Sequence, residues 1–361
     1  MYISEVSGHH SASLAVEKAL KMKAPDTEIL NINGFNYTNP IWERIINRAY
    51  MSVIKNTPEL WEYLYDNPKV IKSTRRIRET IHRANTEKLK ILFDEFRPDV
   101  VACTQAYPCG MVADYKKTYN INLPLVGILT DYAPHSYWVY DNVDVYVVPS
   151  EETGRKLAMN GIPEERIKPL GVPIDPKFIP RQDKTAIQKE LKLDPGIPTI
   201  LIMGGGQGLG PIKQMLVDID KISENFQALV VAGTNKKLRR WIQKRRFKNK
   251  IIAFGYVDHI ERLMEASTFI VTKPGGVTTA EALAKGLPML IINPLPGQEA
   301  INTKFLLNEG VALKANNGDE LAELIDWLLI NPGKLKQISQ NIAQHSKPDS
   351  AIKIAELILG L

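Results

Sequence analysis

Short apolar runs rich in β-branched residues alternate along the chain with longer polar stretches of helical period. This is the pattern of βαβ units whose parallel sheet is covered by helices on both faces. In the first half the runs fall at residues 100–103 (VVAC), 124–129 (PLVGIL) and 143–148 (VDVYVV). In the second they fall at 199–203 (TILIM), 228–233 (ALVVAG), 250–254 (KIIAF), 268–272 (TFIVT) and 288–292 (PMLII). A short opening run, MYISEV, precedes a helical pattern over SASLAVEKALKM. The proline-rich stretch LGVPIDPKFIPRQD separates the two sets and reads as a linker. The expected division is an N-terminal domain over 1–170, a linker over 171–183, a C-terminal domain over 184–346 and a last helical segment over 347–361. The fold class is α/β, with two doubly wound, Rossmann-like domains facing a central cleft and ligands expected at the carboxyl ends of the strands.

The densest chemistry lies in residues 272–302, TKPGGVTTAEALAKGLPMLIINPLPGQEAIN. Pro274, Gly275 and Gly276 break the strand before them where a helix must begin, and a residue without a Cβ lets the backbone approach a ligand there. Thr278 and Thr279 are candidates to cap that helix, whose first-turn N–H groups and positive dipole end suit a pyrophosphate. Glu281 is placed in the same turn, where its carboxylate could accept from two ribose hydroxyls. After the next strand come Gln298, Glu299 and Asn302 at a second helix start, positioned for the hydroxyls of a sugar, with 298 and 302 on one helix face. The plain alternative is an ordinary βα turn with a helix-start acid; two such units in succession favour the nucleotide-sugar reading.

Three further sites follow strands. GGGQGLG at 204–210 offers Gly205, Gly206 and Gly208 as an anion cradle of peptide N–H groups. FGYV at 254–257, with Phe254 and Tyr256, ends another strand and reads equally well as a plain turn. His9, after Ser7 and Gly8 and before the first helix, and Asp131, after PLVGIL, are the two candidate bases. A capping histidine and a routine polar pair between Asp131 and His135 are the alternatives.

Together these motifs resemble the monogalactosyldiacylglycerol synthase and processive diacylglycerol glucosyltransferase family, relatives of the enzyme that adds N-acetylglucosamine to the lipid-linked peptidoglycan precursor. The similarity runs through Ser7-Gly8-His9, Thr130-Asp131 with His135 and Trp138, VDVYVVPSE, GVPIDPKF, GGGQGLG, FGYV, and PGG and PGQE. It implies the GT-B fold, with a UDP-sugar donor on the C-terminal domain, the acceptor on the N-terminal domain, and the last helix crossing back to the first domain. By the same resemblance the backbone at 254–257 pairs with the uracil edge, Gly8 joins the nucleotide-sugar residues, and His135 and Trp138 join the acceptor side. Two departures stand out. The opening strand is short and carries Ser4 and Glu5, and Asp175 occupies a position where relatives often place an arginine against the donor diphosphate, so Lys177, another basic group or a helix end must replace it.

Composition narrows the function classes. The 361 residues are 44% hydrophobic and carry a formal charge of +6, which favours an anionic partner. Residues 235–250 hold nine Lys or Arg and no acid. A second basic stretch over 69–90 follows the aromatics Trp42, Tyr50, Trp61, Tyr63 and Tyr65, of which Trp42 and Trp61 are the expected membrane contacts. No apolar run reaches the length of a membrane span and no signal peptide opens the chain, so the expected location is cytoplasmic, peripheral on the inner face of the cell membrane. Two cysteines and six scattered histidines lack metal-site spacing, and neither a metal nor a cofactor beyond the UDP-sugar substrate is expected. The expected partners are a UDP-sugar, a lipid acceptor such as diacylglycerol and an anionic membrane surface, without nucleic acid. An inverting hexosyl transfer leads; a UDP-sugar epimerase on the same fold and a non-catalytic basic binding module are the competing classes.

Overall fold

The computed structural model describes residues 1–2, 7–34, 37 and 86–361. It divides into two compact units: Met1–Pro176 with Leu295–Gln298 and Asp349–Leu361, and Lys177–Pro294 with Glu299–Pro348.

The first unit is built on a parallel sheet of β1 (Val101–Cys103), β2 (Leu125–Ile128), β3 (Val145–Val147) and β4 (Ile167–Lys168), in that spatial order. β2 and β3 are buried at every position, as strands covered on both faces must be. One face is covered by α2 (Ala106–Tyr119), whose Cys109, Val112 and Ala113 pack with Leu125, Tyr146 and Val148. On the other, Ala15, Val16 and Ala19 of α1 (Gly8–Lys23) meet Ala351, Ile354 and Ala355 of the last helix, α12 (Ser350–Leu359), over Val126, Ile128 and Val147. Alanines on both helices let their axes come close. α3 (Glu151–Met159) starts at a Ser150 cap that accepts from Thr153 N–H at 3.2 Å. Of the opening strand, Tyr2 forms an isolated parallel bridge to Asn33.

The second unit carries a six-stranded parallel sheet: β5 (Thr199–Met203), β6 (Gln227–Val231), β7 (Lys250–Phe254), β8 (Phe269–Thr272), β9 (Met289–Ile292) and β10 (Ala312–Ala315). Their spatial order is β10-β9-β8-β5-β6-β7. The chain starts in the middle, winds out to β7, returns beside β5 as β8 and winds out the other way, which is the doubly wound arrangement. The helices are α4 (Lys184–Glu190), α5 (Ile212–Ile219), α6 (Lys236–Lys244), α7 (Ile260–Ala266), α8 (Gly276–Ala284), α9 (Gln298–Asn308), α10 (Gly318–Ile330) and α11 (Pro332–His345). α5, α6 and α10 seal one face: Met215, Leu216, Leu238, Ile242, Leu321 and Ile325 pack on Ile200, Ile202, Val230 and Val271.

All eight apolar runs named in the sequence are strands to within a few residues, while β4 and β10 were not anticipated. β4 has two residues, and the four of β10, ALKA, are interrupted by Lys314, which is exposed at the sheet edge.

The α1–α12 contact gives a stability test. Ile354 is fully buried in that cluster, so Ile354→Ala should cost about 2–5 kcal/mol. The surface pair Lys23–Glu356, at 2.6 Å with both side chains well exposed, links the same helices, and Glu356→Ala should cost no more than about 1 kcal/mol. Urea unfolding of the two variants measures the difference; equal losses would contradict the assignment of the contact to apolar packing.

Candidate functional site

In the second unit the strand order reverses between β5 and β8. Loops leaving the carboxyl ends of these two neighbours turn to opposite sides and leave a crevice, where doubly wound sheets take their ligands. Both glycine motifs lie there. The loop over 204–210 is pinned by Gly208 N–H to Gly205 O at 3.0 Å, Leu209 N–H to Gly204 O at 2.9 Å and Thr234 N–H to Gly206 O at 3.0 Å. Gly208 has φ +58°, and a Cβ on it would stand 2.1 Å from the Ala232 carbonyl; Gly233, φ +54°, would meet the Gly206 carbonyl at the same distance. The loop is therefore folded tightly onto the end of β6. Of its expected phosphate donors, the Gly208 N–H is turned inward, whereas those of Gly205 and Gly206 have no hydrogen-bonded partner among the described residues.

The next loop corrects two expectations. Helix α8 begins at Gly276 with Gly275 as its cap, so neither Thr278 nor Thr279 caps it, and no side-chain cap hydrogen bond is made among the described residues. The threonines mimic a cap in sequence but stand inside the helix, Thr278 half-buried and Thr279 buried. Glu281 is the sixth helical residue, in the second turn rather than the first, and is half-buried. Gly275 has an ordinary φ of −68°, and a Cβ there would meet nothing within 4 Å. The protein itself does not require glycine at 275, so the open space beside this backbone is available to a ligand.

Gln298 and Glu299 open α9, both half-buried. Asn302 is 0% exposed, and its Nδ2 donates to the Pro274 carbonyl at 3.0 Å, so it ties α9 to the loop that starts α8. Phe254 ends the edge strand β7, with its carbonyl accepting from Ala232 N–H at 3.0 Å, and Tyr256 is 68% exposed.

In the first unit the structure gathers His9, Thr104, Thr130 and Asp131. His9 is not ahead of the first helix, as the sequence suggested, but in its first turn, after a Ser7 cap that accepts from His10 N–H; Gly8 is the exposed first residue of that helix. His9 Nδ1 lies 2.9 Å from the Thr104 carbonyl and 3.0 Å from the Thr130 hydroxyl, and Thr104 Oγ1 donates to the His9 carbonyl at 2.8 Å. A carbonyl only accepts, so Nδ1 carries the proton and the lone pair is on Nε2. Thr130 Oγ1 donates to Asp131 at 3.5 Å, completing a chain from carboxylate through hydroxyl to imidazole. Burial lowers the His9 pKa below the ordinary histidine value, with the Asp131 charge and the Thr104 hydrogen bond opposing it. Burial likewise pushes His135 down to about 4, with Asp131 opposing and His9 adding to the shift. It also raises the Tyr132 phenol, with Asp131 adding to the effect. The group is thus held neutral around one carboxylate, and a neutral imidazole with an available Nε2 can take a proton.

Trp138, expected on the acceptor side, is 4% exposed and belongs to the core with Val112, Leu125 and Tyr146, so its indole is a packing group of this unit. Trp42, Trp61 and most of the 69–90 stretch lie outside the described residues. All nine cations of 235–250 are exposed, while Leu238 and Ile242 anchor α6 in the core. Asp175 is paired with Lys18 at 2.9 Å and Lys177 with Glu261 at 3.3 Å. A cation that the sequence reading missed, Lys273, stands between the two glycine loops. Nothing in a periodic pattern singles out a lysine after a strand. No helix among the described residues is long and apolar enough to cross a membrane.

Comparison with known proteins fits this geometry. Residues 9–174 match the family model for monogalactosyldiacylglycerol (MGDG) synthase, and residues 183–345 match that for glycosyl transferases group 1. The chain is 29% identical over 330 residues to the processive diacylglycerol β-glucosyltransferase of Bacillus subtilis (strain 168), covering 91% of this chain and 85% of that one. It is 28% identical to the protein of the same name from Staphylococcus saprophyticus, over 98% of this chain and 90% of the relative. Among solved structures, Acinetobacter baumannii MurG superimposes with a TM-score of 0.60 at 15% identity, over 78% of this chain and 79% of that one. Anabaena HepE in complex with UDP and glucose gives 0.55 at 14% identity, over 100% and 99%. The architecture is the GT-B fold, and the enzyme class is glycosyltransferase.

The two half-buried histidines, both held below the ordinary histidine pKa, predict acid sensitivity. A histidine whose folded pKa lies below its unfolded value takes up its proton first in the unfolded chain. For His135, stability is therefore full above about pH 6.5 and is lost as pH falls toward about 4. The gap corresponds to roughly 3 kcal/mol. His135→Gln should keep more of its neutral-pH stability at about pH 4.5 than the wild type does, measured by urea unfolding at both pH values; identical acid losses would refute the assignment.

Proposed function

We propose, from a chain that joins an MGDG synthase domain to a group 1 glycosyl transferase domain, that this protein moves a hexose from a UDP-sugar to the hydroxyl of a lipid acceptor such as diacylglycerol, with inversion at the anomeric carbon. One observation carries the reading: the same chain holds an uncapped helix start beside a glycine loop at a strand-order reversal and a neutral histidine with its Nε2 lone pair available. The names of the relatives support the acceptor, and the UDP and glucose in the HepE structure support the donor.

In this reaction His9 Nε2 takes the proton of the acceptor hydroxyl while its oxygen bonds to the anomeric carbon. The carbon–oxygen bond to UDP breaks on the opposite side and UDP leaves with the electron pair. The Thr104 carbonyl keeps the proton on Nδ1, and Asp131 stabilises the imidazolium as it forms. Asp131 is the alternative base. The α8 start and the N–H groups of Gly205 and Gly206 receive the departing diphosphate. Glu281 binds the ribose, Gln298 and Glu299 the sugar, Phe254 and Tyr256 flank the base, and Asn302 acts by holding the Pro274 turn. A lipid acceptor leaves a bilayer at a cost of about 0.8 kcal/mol per exposed CH2, so the enzyme works peripherally on the inner face of the cell membrane.

Purified protein with radiolabelled UDP-glucose and UDP-galactose, with and without diacylglycerol, tests the activity. Lipid-dependent product is expected; sugar conversion without lipid would instead identify an epimerase, and neither product would leave a binding module. His9→Ala should bind UDP nearly normally while turnover falls by about two orders of magnitude or more. Glu281→Ala should weaken UDP binding by roughly 1–3 kcal/mol, measured by calorimetry. Gln298→Ala should affect UDP-sugar more than UDP. Unchanged affinity for both ligands in Glu281→Ala would remove the donor-site assignment. Flotation with liposomes of rising anionic content should show binding that grows with charge and falls with salt; equal recovery on neutral vesicles would exclude electrostatic docking.

A further inference from the structure

A donor diphosphate carries negative charge on each phosphoryl group, and a helix start supplies only about half an elementary charge. Peptide N–H groups add direction but no net charge. A diphosphate site in this unit therefore needs a cation, and the residues that the sequence offers from the linker are already committed. Asp175 has the wrong sign and is held by Lys18 through both its oxygens, at 2.9 and 3.0 Å. Lys177 pairs with Glu261 at 3.3 Å and also donates to the Asp258 carbonyl. Arg181 is drawn to Glu265, at 3.7 Å, and to the Lys285 carbonyl, at 2.5 Å.

Lys273 is placed differently. It is the first residue after β8, whose last residue, Thr272, is in register with Met203 at the end of β5 across the strand-order reversal. Its carbonyl accepts from Gly275 N–H at 2.9 Å and from Thr272 Oγ1 at 3.3 Å, so the root of the side chain is fixed. A Cβ built on Gly210, the last glycine of the other loop, would lie 4.0 Å from Lys273 Cε. The aliphatic stem thus reaches from the α8 loop to the glycine loop. Lys273 is half-buried, and no acid among the described residues forms an ion pair with it.

We infer that Lys273 is the counter-ion of the donor diphosphate, its ammonium group placed between the glycine loop over 204–210 and the start of α8. The inference rests on the donor reading above and adds to it the residue that neutralises the phosphates. It also accounts for the tolerance of Asp175 in the linker, since the neutralising cation comes from the strand end instead. A lysine suits this position because its compact ammonium can meet oxygens of both phosphoryl groups as they separate from the sugar, without the fixed fork of an arginine.

Calorimetry on the full chain with UDP, UMP and uridine tests the idea. Lys273→Met keeps the stem and removes the charge; it should weaken UDP by about tenfold or more and leave uridine nearly unchanged, with UMP between. The salt dependence of UDP binding should become shallower in Lys273→Met, and Lys273→Arg should restore most of the affinity, because the charge is what acts. Circular dichroism melts of each variant establish that the fold is intact. UDP affinity within about twofold of wild type in Lys273→Met, or an equal loss for uridine, would overturn the assignment while leaving the donor site standing. No UDP binding by the wild-type protein, with Glu281→Ala equally inert, would overturn the donor reading itself, and this inference with it.

Discussion

Parallel strands buried on both faces must be joined by connections that return over the sheet, and this constraint fixes where the protein can do chemistry. β5, β6, β8 and β9 are almost wholly apolar because helices cover both of their faces. Each fully buried aliphatic side chain contributes about 1.5–3 kcal/mol relative to exposure, so a polar side chain at these positions would oppose folding of the sheet. Polar and charged groups are therefore moved to the loops, and every loop leaving a strand's carboxyl end emerges on the same edge. The winding order then selects one place on that edge, since only between β5 and β8 do successive loops diverge. Gly205, Gly206, Lys273, Gly275 and Gly276 meet there because the sheet leaves them no other arrangement.

What could be read in the sequence follows from the same physics. The eight long apolar runs announce themselves because double burial leaves no polar alternation. β4 and ALKA of β10 stay hidden because each is short and carries a lysine at a sheet edge. Helix starts were harder. Thr278 and Thr279 have the chemistry of caps, and only the backbone shows that Gly275 occupies that position and that the helix is one turn longer at its front. Glu281 moved into the second turn for the same reason. Indoles in a core and at a ligand surface have the same one-letter signature; at Trp138, packing with Val112, Leu125 and Tyr146 places the ring in the core.

At His9, burial favours the neutral ring, and the nearby Asp131 charge favours the imidazolium, so the two effects oppose each other. Burial wins in the resting protein. The carboxylate is nevertheless kept within reach through Thr130, at 3.5 Å, where it gains value only when the ring takes up a proton. This is the balance a general base requires: too strong an acid partner would leave it protonated in advance, and none would leave the imidazolium unstabilised. His135 and Tyr132, both shifted toward their neutral forms, keep other charges away from that carboxylate.

Pairing separates the charges that hold the fold from those that meet a ligand. Lys285, with its side chain fully buried, is matched by Glu265 at 2.9 Å and donates to the Pro180 carbonyl at 2.8 Å; removing one partner of such a pair would leave a buried charge uncompensated, at a cost of about 3–5 kcal/mol. Lys177 and Glu261 follow the same rule near the start of the second unit. The nine cations over 235–250 are exposed and lie in a stretch without a single acid, so water screens them and they contribute little to folding. Lys273 belongs to neither group. It is half-buried, and among the described residues no carboxylate pairs with it as Glu261 and Glu265 pair with Lys177 and Lys285. A half-buried cation held at its root, with no acid paired to it among the described residues, is a group whose charge an anion between the two loops would match.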